Sequence, residues 1–226
     1  MLLEQLLCIE LMNDGLNSWL NGLPLIAILR GIHPDECVDI GRNLCKIGFK
    51  LLEIPLNSPE PFKSIQKLSL NLKGKAIIGA GTILQKKQLE LLRDSGGKFA
   101  VMPHVDLDLI RKAKDLDLVC IPGVSSPSEA FSALDAGADA LKVFPAELIV
   151  PKVLKAWKAV LPEDIFLLPV GGILPNSMAS YISAGAKGFG LGSALYKPEM
   201  DAADVLANGE AFVKSWGKIE FNYGSS

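Results

Sequence analysis

Short apolar runs and amphipathic segments alternate along almost the whole chain. The apolar runs are hydrophobic at nearly every position, as strands of a parallel sheet are when both faces are covered. The predicted strands are 23–30, 50–56, 75–82, 98–103, 118–123, 139–145, 165–172 and 188–193. The predicted helices are 34–47, 59–72, 86–95, 106–115, 126–136, 150–160, 175–184 and 199–215. A strand followed by a helix, repeated eight times, predicts an α/β fold.

Local signals mark where several of these helices begin and end. Ser126 and Glu129 have the spacing of a capping box, and Pro127 stands at the first helical position. Glycine follows four predicted helices, at Gly48, Gly96, Gly137 and Gly185. Such glycines end a helix and let the chain turn into the next strand.

Two architectures fit this alternation, a closed (β/α)8 TIM barrel and an open doubly wound sheet. The open sheet usually carries a GxGxxG turn, and the segment 79–82 lacks the third glycine. The pattern therefore favours one (β/α)8 barrel domain over residues 1–226. An amphipathic helix at about 2–20 is expected to lie on it, and a flexible tail at about 218–226 to follow it.

Composition and charge narrow the classes of partner. The 226 residues are 49% hydrophobic and carry a net charge of −2 without a basic run, so nucleic acid and anionic membranes are not expected partners. The apolar start contains Glu4 and Glu10 and lacks the basic region of a signal peptide. Four scattered cysteines, without a CxxC pair, favour free thiols and the cytoplasm. His33 and His104 have no cysteine cluster nearby, so no metal site is expected.

One lysine lies inside an apolar run, in the segment DALKVFP at 139–145. Side chains alternate across a strand, so residues two apart share a face. The faces predicted to point inward are Ile26, Ile28 and Arg30; Leu51, Glu53 and Pro55; Ile78, Ala80 and Thr82; Ala140, Lys142 and Phe144. The polar members of this set lie in the carboxyl-terminal halves of their predicted strands or just past them, toward the end where barrel enzymes build their active sites.

A lysine in such a partly desolvated pocket loses its proton more easily, and its free amine can form a Schiff base with a carbonyl compound. The alternative is an ion pair between Lys142 and Glu53 that only fixes the strands in place. Arg30 and Thr82 on the same rim favour a catalytic pocket.

Two glycine clusters follow the last two predicted strands, and they comprise Gly171 and Gly172, then Gly192 and Ser193. In barrels the loops after strands seven and eight often bind phosphate through backbone N–H groups. The two clusters therefore predict a phosphate site.

Several segments together resemble one known family. They are LPLIAILRGI, LLEIPLNSP, IIGAGTIL, ALKVFPAE, VGGILPNS and GLGSALY, and the likeness spans about residues 20–215. These segments resemble the class I aldolases of 2-keto-3-deoxy-6-phospho sugar acids, the KDPG/KHG aldolases. Asn57 and Val170 stand where gluconate-specific members typically carry Arg and Thr. The resemblance therefore favours the galactonate epimer.

The resemblance implies a metal-free and cofactor-free cleavage to pyruvate and glyceraldehyde 3-phosphate. Lys142 would form the imine, and Glu53 would move protons through a water. Arg30 and Thr82 would hold the substrate carboxylate. The further substrate-binding positions are Pro103, Phe144, Asn57 and Val170, and those for phosphate are Gly171, Gly172, Gly192 and Ser193. Family members are commonly homotrimers. Met102 is bulkier than its counterparts and is expected to trim the pocket.

Three other functions stay open at this point. The first is a KDPG or 4-hydroxy-2-oxoglutarate aldolase of broader specificity, because Val170 offers an apolar wall that discriminates weakly between hydroxyl epimers. The second is a barrel that binds a phosphorylated ligand without chemistry. The third is an isomerase that uses Glu53 as a base.

Overall fold

The computed structural model describes residues 22–223, so the helix expected at 2–20 lies outside the described residues. The strands are β1 (Leu25–Ile28), β2 (Leu51–Pro55), β3 (Ile77–Gly81), β4 (Phe99–Val101), β5 (Val119–Ile121), β6 (Gly123–Val124), β7 (Leu141–Val143), β8 (Leu167–Pro169) and β9 (Phe189–Leu191). The helices are α1 (Cys37–Lys46), α2 (Pro61–Asn71), α3 (Lys86–Asp94), α4 (Leu107–Asp115), α5 (Pro127–Asp135), α6 (Pro151–Lys158), α7 (Met178–Ser183) and α8 (Ala202–Tyr223). Each predicted strand and helix overlaps an observed one, and the fifth predicted strand covers β5 and the first residue of β6.

The strands pair in parallel in a curled sheet that has two parts. One part has the order β5-β4-β3-β2-β1-β9, and the other has the order β6-β7-β8. The division falls at Pro122, between β5 and β6, because proline has no N–H to donate to a neighbouring strand. An isolated parallel bridge joins Val170, just after β8, to Gly190 in β9. The α/β prediction with parallel strands is confirmed.

Buried apolar side chains form two clusters on the two sides of the curled sheet. The larger cluster lies between strands and helices and includes Leu52 and Ile54 of β2. The smaller cluster contains Ile28, Leu51 and Leu168 from three different strands. These strands therefore turn alternate residues toward a shared interior, where the polar side chains of the candidate site also lie.

The predicted inward faces are right for β1, β2 and β7 and wrong for β3. In β1, β2 and β7, the predicted inward residues Ile28, Leu51 and Ala140 belong to the smaller cluster. In β3, Ile78 and Ala80 belong instead to the larger cluster beside the helices. The inward-facing positions of β3 are therefore one residue away from those predicted, because the prediction assumed that Thr82 continues the alternation of the strand.

The backbone of Thr82 interrupts the alternation of side chains between the two faces of β3. Its φ of 59° is in the left-handed region, which a β-branched residue rarely adopts. The chain therefore turns at this residue, and the Thr82 side chain reaches the rim although the strand before it has the opposite parity.

The helix ends that glycines mark in the sequence are confirmed. The glycines after α1, α3, α5 and α7 all have positive φ, as expected for helix-ending residues: Gly48, Gly96, Gly137 and Gly185. Ser126 caps α5 by accepting the N–H of Glu129 at 3.3 Å. The Glu129 carboxylate accepts the N–H of Ser125 at 2.6 Å rather than that of Ser126, so the capping box is completed one residue earlier than predicted.

The last helix is longer than predicted. It runs to Tyr223, whereas a flexible tail was expected from about 218, and only 224–226 lie outside the described residues. The prediction is wrong because Ile219 is buried and holds this turn against the domain. Trp216 adds a second contact, since its Nε1–H donates to the carbonyl of Gly22 at 2.8 Å.

Two general features concern the described residues alone. None of their helices is long and apolar enough to cross a membrane. Their cysteines, Cys37, Cys45 and Cys120, are free thiols.

Candidate active site

Lys142 lies in the middle of β7 with its side chain almost fully buried. It is 5% exposed, while its neighbours Leu141 and Val143 pack in the larger cluster on the opposite face. The backbone N–H of Lys142 donates to the carbonyl of Pro122 at 2.9 Å, which holds β7 beside the interrupted fifth strand. The strand therefore directs the ammonium group toward the interior rather than toward the helices.

Glu53 lies in β2 and is 2% exposed. Its carboxylate occupies the space above Gly81 at the end of β3, where a Cβ atom would collide with Oε1 of Glu53. Glycine at this position therefore provides the room that the carboxylate needs. Pro55 pairs with Gly81 in the register of β2 and β3, so both residues belong to the carboxyl ends of their strands.

Burial shifts both groups toward their neutral forms. Desolvation lowers the pKa of Lys142, the charge of Glu53 opposes that change, and the charge of Arg30 adds to it. Desolvation raises the pKa of Glu53, and the charges of Lys142 and Arg30 oppose the rise. These shifts favour a free amine on Lys142 and a protonated carboxyl on Glu53, the combination needed for attack on a carbonyl and loss of water.

Arg30 follows β1 and joins two other predicted substrate-binding residues. Its Nη1 donates to Oδ1 of Asn57 at 2.6 Å and to Oγ1 of Thr82 at 3.4 Å. The structure thereby brings Arg30, Asn57 and Thr82 together from the ends of three adjacent strands. Asn57 contacts the guanidinium through its carbonyl oxygen, so it orients the arginine, and its side chain is exposed.

Phe144 is placed against the lysine. The Nζ atom of Lys142 lies 4.6 Å from the centroid of the Phe144 ring, in a cation–π arrangement. The ring is 37% exposed, which is unusual for a large apolar side chain. An aromatic face at this position favours a positive charge on Nζ or on an imine formed from it.

Val170 is buried in the smaller cluster and contacts the β9 segment, where a Cβ atom on Gly190 would lie 2.7 Å from its Cγ2. It therefore adds apolar surface to the interior beside β9, and its role as a wall of the substrate pocket stays a prediction. Pro103 follows β4 and is half-buried, and its carbonyl would lie 2.7 Å from a Cβ atom on Gly123 in the first residue of β6.

The two predicted phosphate-binding segments are neighbours. The bridge between Val170 and Gly190 places the residues after β8 beside those after β9. Gly171 and Gly172 have φ values of 107° and 62°, so glycine is needed for this turn. The segment after β9 forms a tight turn in which the carbonyl of Gly192 accepts the N–H of Leu195 at 2.8 Å, and Ser193 there is exposed.

A further prediction concerns Met102, in the segment after β4. Met102 is fully buried in the larger cluster, so the expectation that it trims the pocket is wrong. It is the residue after a strand whose outward positions pack on helices, and its side chain continues that packing. His104 is exposed to solvent.

Two residues in contact with the site were not singled out from the sequence. Glu147 lies against the Gly171–Gly172 turn, where its Cγ would be 2.9 Å from a Cβ atom on Gly172. Ser58 accepts the N–H of Gly31, next to Arg30, at 2.9 Å. A signal for both was present, since Ser58 directly follows Asn57 in LLEIPLNSP and Glu147 ends ALKVFPAE; the contact of Glu147 with the glycine turn is visible only in three dimensions.

No metal site is evident in the part of the chain that the structure describes. Among those residues no group of three or more His, Cys, Asp or Glu side chains could hold a metal ion.

Known proteins are similar to this chain over most of its length. A curated 2-dehydro-3-deoxy-6-phosphogalactonate aldolase from Escherichia coli K12 is 43% identical over 199 residues, or 88% of this chain and 97% of that protein. A probable enzyme of the same name from Rhizobium meliloti is 46% identical over 87% of this chain and 92% of that protein.

Solved structures agree with these relatives. The native KDPGal structure has a TM-score of 0.86 and 42% identity, covering 88% of this chain and 97% of that chain. A KDPG aldolase from Legionella pneumophila, with pyruvate captured as a covalent carbinolamine, has a TM-score of 0.75 and 25% identity, covering 89% and 96%. The family model of KDPG and KHG aldolases matches residues 16–208. This chain belongs to the KDPG and KHG aldolase family.

Proposed function

We propose that this protein is a class I aldolase that cleaves 2-dehydro-3-deoxy-6-phosphogalactonate into pyruvate and glyceraldehyde 3-phosphate. The observation that carries the proposal is the burial of Lys142, at 5% exposure, in a pocket shared with the equally buried Glu53. The curated relatives of 43% and 46% identity that carry this activity in their names support the choice of substrate.

The reaction begins with attack on the C2 ketone. The lone pair of the neutral Lys142 amine forms an N–C2 bond while the C=O π electrons move to the oxygen, and the proton that the nitrogen then loses passes to that oxygen to give a neutral carbinolamine. Glu53, whose pKa is raised by burial, donates a proton to the leaving hydroxyl, and water departs. The product is a protonated imine whose positive charge faces the ring of Phe144.

The imine then draws electrons from the bond that breaks. Glu53, now a carboxylate, takes the proton of the C4 hydroxyl, directly or through a water. The C3–C4 bonding electrons move into the imine, which gives an enamine and the aldehyde. Glu53 returns the proton to C3, and hydrolysis of the resulting imine releases pyruvate and the free amine of Lys142.

The remaining predicted residues hold the two ends of the substrate. Arg30 binds the carboxylate by charge and fork geometry, assisted by Thr82. The backbone N–H groups of Gly171, Gly172 and Gly192, with the hydroxyl of Ser193, bind the phosphate. The support for this phosphate site is that the turns after β8 and β9 lie next to each other. Asn57, Pro103, Phe144 and Val170 line the space between these ends.

Trapping the imine tests the mechanism. The protein is incubated with pyruvate and sodium borohydride, and intact mass and peptide mapping locate the adduct. We expect one reduced pyruvyl group on Lys142 in the wild type, and none in Lys142→Met, while Lys98→Met, a change at an exposed lysine, reacts like the wild type. Trapping at another lysine would overturn the assignment. A folded wild-type protein without any adduct would favour the phosphate-ligand binder or the base-only isomerase.

A second assay concerns the epimer. Pyruvate release from the galactonate and gluconate substrates is followed through coupling to lactate dehydrogenase. Val170 supplies an apolar wall rather than a hydrogen-bonding group, so we expect faster cleavage of the galactonate epimer with incomplete discrimination against the other. Equal rates would favour the broader KDPG or 4-hydroxy-2-oxoglutarate aldolase.

We further propose that the protein needs no metal or other cofactor, because the imine itself accepts the electrons. Full turnover after dialysis against EDTA is the expected result. The free thiols Cys37, Cys45 and Cys120 support a cytoplasmic location, which cell fractionation tests.

The proposed fold is one closed (β/α)8 barrel in a single domain. Its support is the contact between β8 and β9, where Val170 bridges Gly190 and the N–H of Lys187 donates to the carbonyl of Leu167 at 3.1 Å. One larger apolar cluster also extends from Leu25 to Ile219. A single unfolding transition, with coincident circular dichroism and tryptophan fluorescence, is expected.

We propose a homotrimer, as in other family members. Exposed apolar side chains around the start of α6 support an interface there, with Leu148 77%, Val150 44% and Val153 37% exposed. Light scattering after size-exclusion chromatography is expected to give three times the chain mass. Leu148→Glu is expected to lower that mass, and Leu70→Glu, a control at a 73% exposed position on α2, to leave it unchanged.

A further inference from the structure

Ser58 is a buried polar residue that the mechanism above does not use. It lies in the turn after β2 and is 8% exposed. Its own N–H donates to the carbonyl of Pro55 at 2.9 Å, which closes the turn. Its Oγ accepts the N–H of Gly31 at 2.9 Å, and Gly31 belongs to a different loop, the one after β1. The hydroxyl therefore ties the second loop to the first.

Gly31 is fixed from the other side as well. A Cβ atom on it would lie 2.6 Å from Cγ of Pro198, and its φ is 89°. The loop after β1 is thus held between Ser58 and the segment after β9. Gly31 directly follows Arg30, so its backbone sets the direction in which the Arg30 side chain leaves the strand.

The neighbour of Ser58 holds the other end of the same arginine. Asn57 Oδ1 accepts from Nη1 of Arg30 at 2.6 Å. Two consecutive residues therefore contact both the backbone beside Arg30 and its guanidinium. Arg30 is itself exposed, and an exposed arginine loses considerable rotamer freedom when it binds a ligand. Fixing it beforehand reduces that loss.

We infer that Ser58 is a positioning residue, which orients Arg30 for the carboxylate of a 2-keto acid substrate through its hydrogen bond to Gly31. The inference rests on the proposed function, in which Arg30 binds that carboxylate. The hydrogen bond between Ser58 and Gly31 also affects Lys142, because it fixes Arg30, whose charge lowers the pKa of Lys142. Loss of the Ser58 hydroxyl then affects substrate binding and the pH profile together.

A double-mutant cycle tests this role. Ser58→Ala and Arg30→Ala are made singly and together, and kcat and KM are measured for the phosphorylated substrate. We expect Ser58→Ala to raise KM about tenfold with a smaller effect on kcat, since one hydrogen bond is lost. In the Arg30→Ala background the same change is expected to alter KM less than twofold. Ser132→Ala, an exposed serine in α5, is the control and is expected to match the wild type.

The pH profile adds a readout that a purely structural serine would not move. In Ser58→Ala the acid limb of kcat/KM is expected to shift to higher pH. The same shift is expected when Arg30 is removed. Ser58→Thr keeps the hydroxyl and is expected to recover the wild-type KM. An equal rise in KM with and without Arg30 would overturn the inference, and so would an unshifted acid limb.

Two checks keep the outcome interpretable. If Ser58→Ala does not fold, Ser58→Cys, which keeps the volume but accepts hydrogen bonds weakly, takes its place in the cycle. The rate of borohydride trapping with pyruvate is measured for the same variants, since pyruvate carries the same carboxylate. If the wild type does not cleave the substrate, the proposed function is refuted. If the effects of Ser58→Ala and Arg30→Ala on trapping are additive, only the role of Ser58 is refuted.

Discussion

The carboxylate of Glu53 fills the position that the side chain of residue 81 would occupy if Gly81 were any other amino acid. Because β2 and β3 are neighbours in register, a Cβ atom on Gly81 would displace the group that the mechanism uses for every proton transfer.

Gly81→Ala is therefore expected to lower kcat by at least a hundredfold, in the range lost when a general acid–base group is misplaced. The rate of pyruvate release measures the change. Gly217→Ala is the matched control, because a Cβ atom there meets nothing within 4 Å and the residue lies inside α8. That control is expected to keep full activity and to raise the free energy of unfolding by about 0.5–1 kcal/mol.

Removing Arg30 is expected to move the acid limb of activity. The attacking amine must be neutral, so the rate of imine trapping falls tenfold per pH unit below the pKa of Lys142. Arg30 lowers that pKa, and Arg30→Ala therefore raises it and shifts the limb to higher pH. Trapping rates at several pH values, with pyruvate in excess, measure the limb.

Arg42→Ala is the control for this shift, because Arg42 pairs with Asp39 on the surface of α1. A limb that stays in place without Arg30 would show that burial and the charge of Glu53 set the pKa of Lys142 without a contribution from Arg30.

The ring of Phe144 is expected to stabilise the positive charge on the imine. Phe144→Leu removes the aromatic face 4.6 Å from Nζ and is expected to lower the equilibrium amount of imine about fivefold, the equivalent of roughly 1 kcal/mol for a cation–π contact. Mass spectrometry after a short borohydride pulse measures that amount. Phe131→Leu, at an exposed aromatic in α5, is the control. Unchanged imine in Phe144→Leu would assign the ring to packing alone.

Thr82 combines a strained backbone with a useful hydroxyl. Thr82→Gly is expected to raise the free energy of unfolding by about 1–2 kcal/mol, because only glycine adopts a φ of 59° without cost. The same change removes the contact with Arg30, so KM is expected to rise severalfold. Thermal or urea unfolding and steady-state kinetics measure the two effects.

Thr82→Ala separates them. Alanine keeps the strain and loses the hydroxyl, so this variant is expected to match Thr82→Gly in KM while gaining no stability. A stability gain in both variants would assign the strain to the threonine side chain rather than to the backbone.

Sequence patterns predicted the strands well because both faces of a parallel sheet are apolar, and they placed Lys142 and Glu53 together because parity holds along an uninterrupted strand. The same reasoning failed in β3, since a left-handed residue such as Thr82 resets the parity and has no sequence signature. It also ended α8 too early, because the burial of Ile219 depends on tertiary contacts.

The site was predictable to a similar degree. The polar positions in or just after β1, β2, β3 and β7 were visible in the sequence: Arg30, Glu53, Thr82 and Lys142. The contacts between loops could not be predicted, because they depend on how separate loops meet. In these contacts Asn57 accepts from Arg30, Ser58 accepts from Gly31, and Glu147 lies against the glycine turn.

The pairing of β1 with β9 has a consequence during protein synthesis. Leu25 pairs with Phe189, so one edge of the first strand, LIAI, has its partner at the far end of the chain. While the ribosome makes the intervening residues, this apolar edge is open to pairing with other nascent chains. We therefore expect slow translation between β1 and β9 to increase aggregation, and early binding of a chaperone to this segment to reduce it.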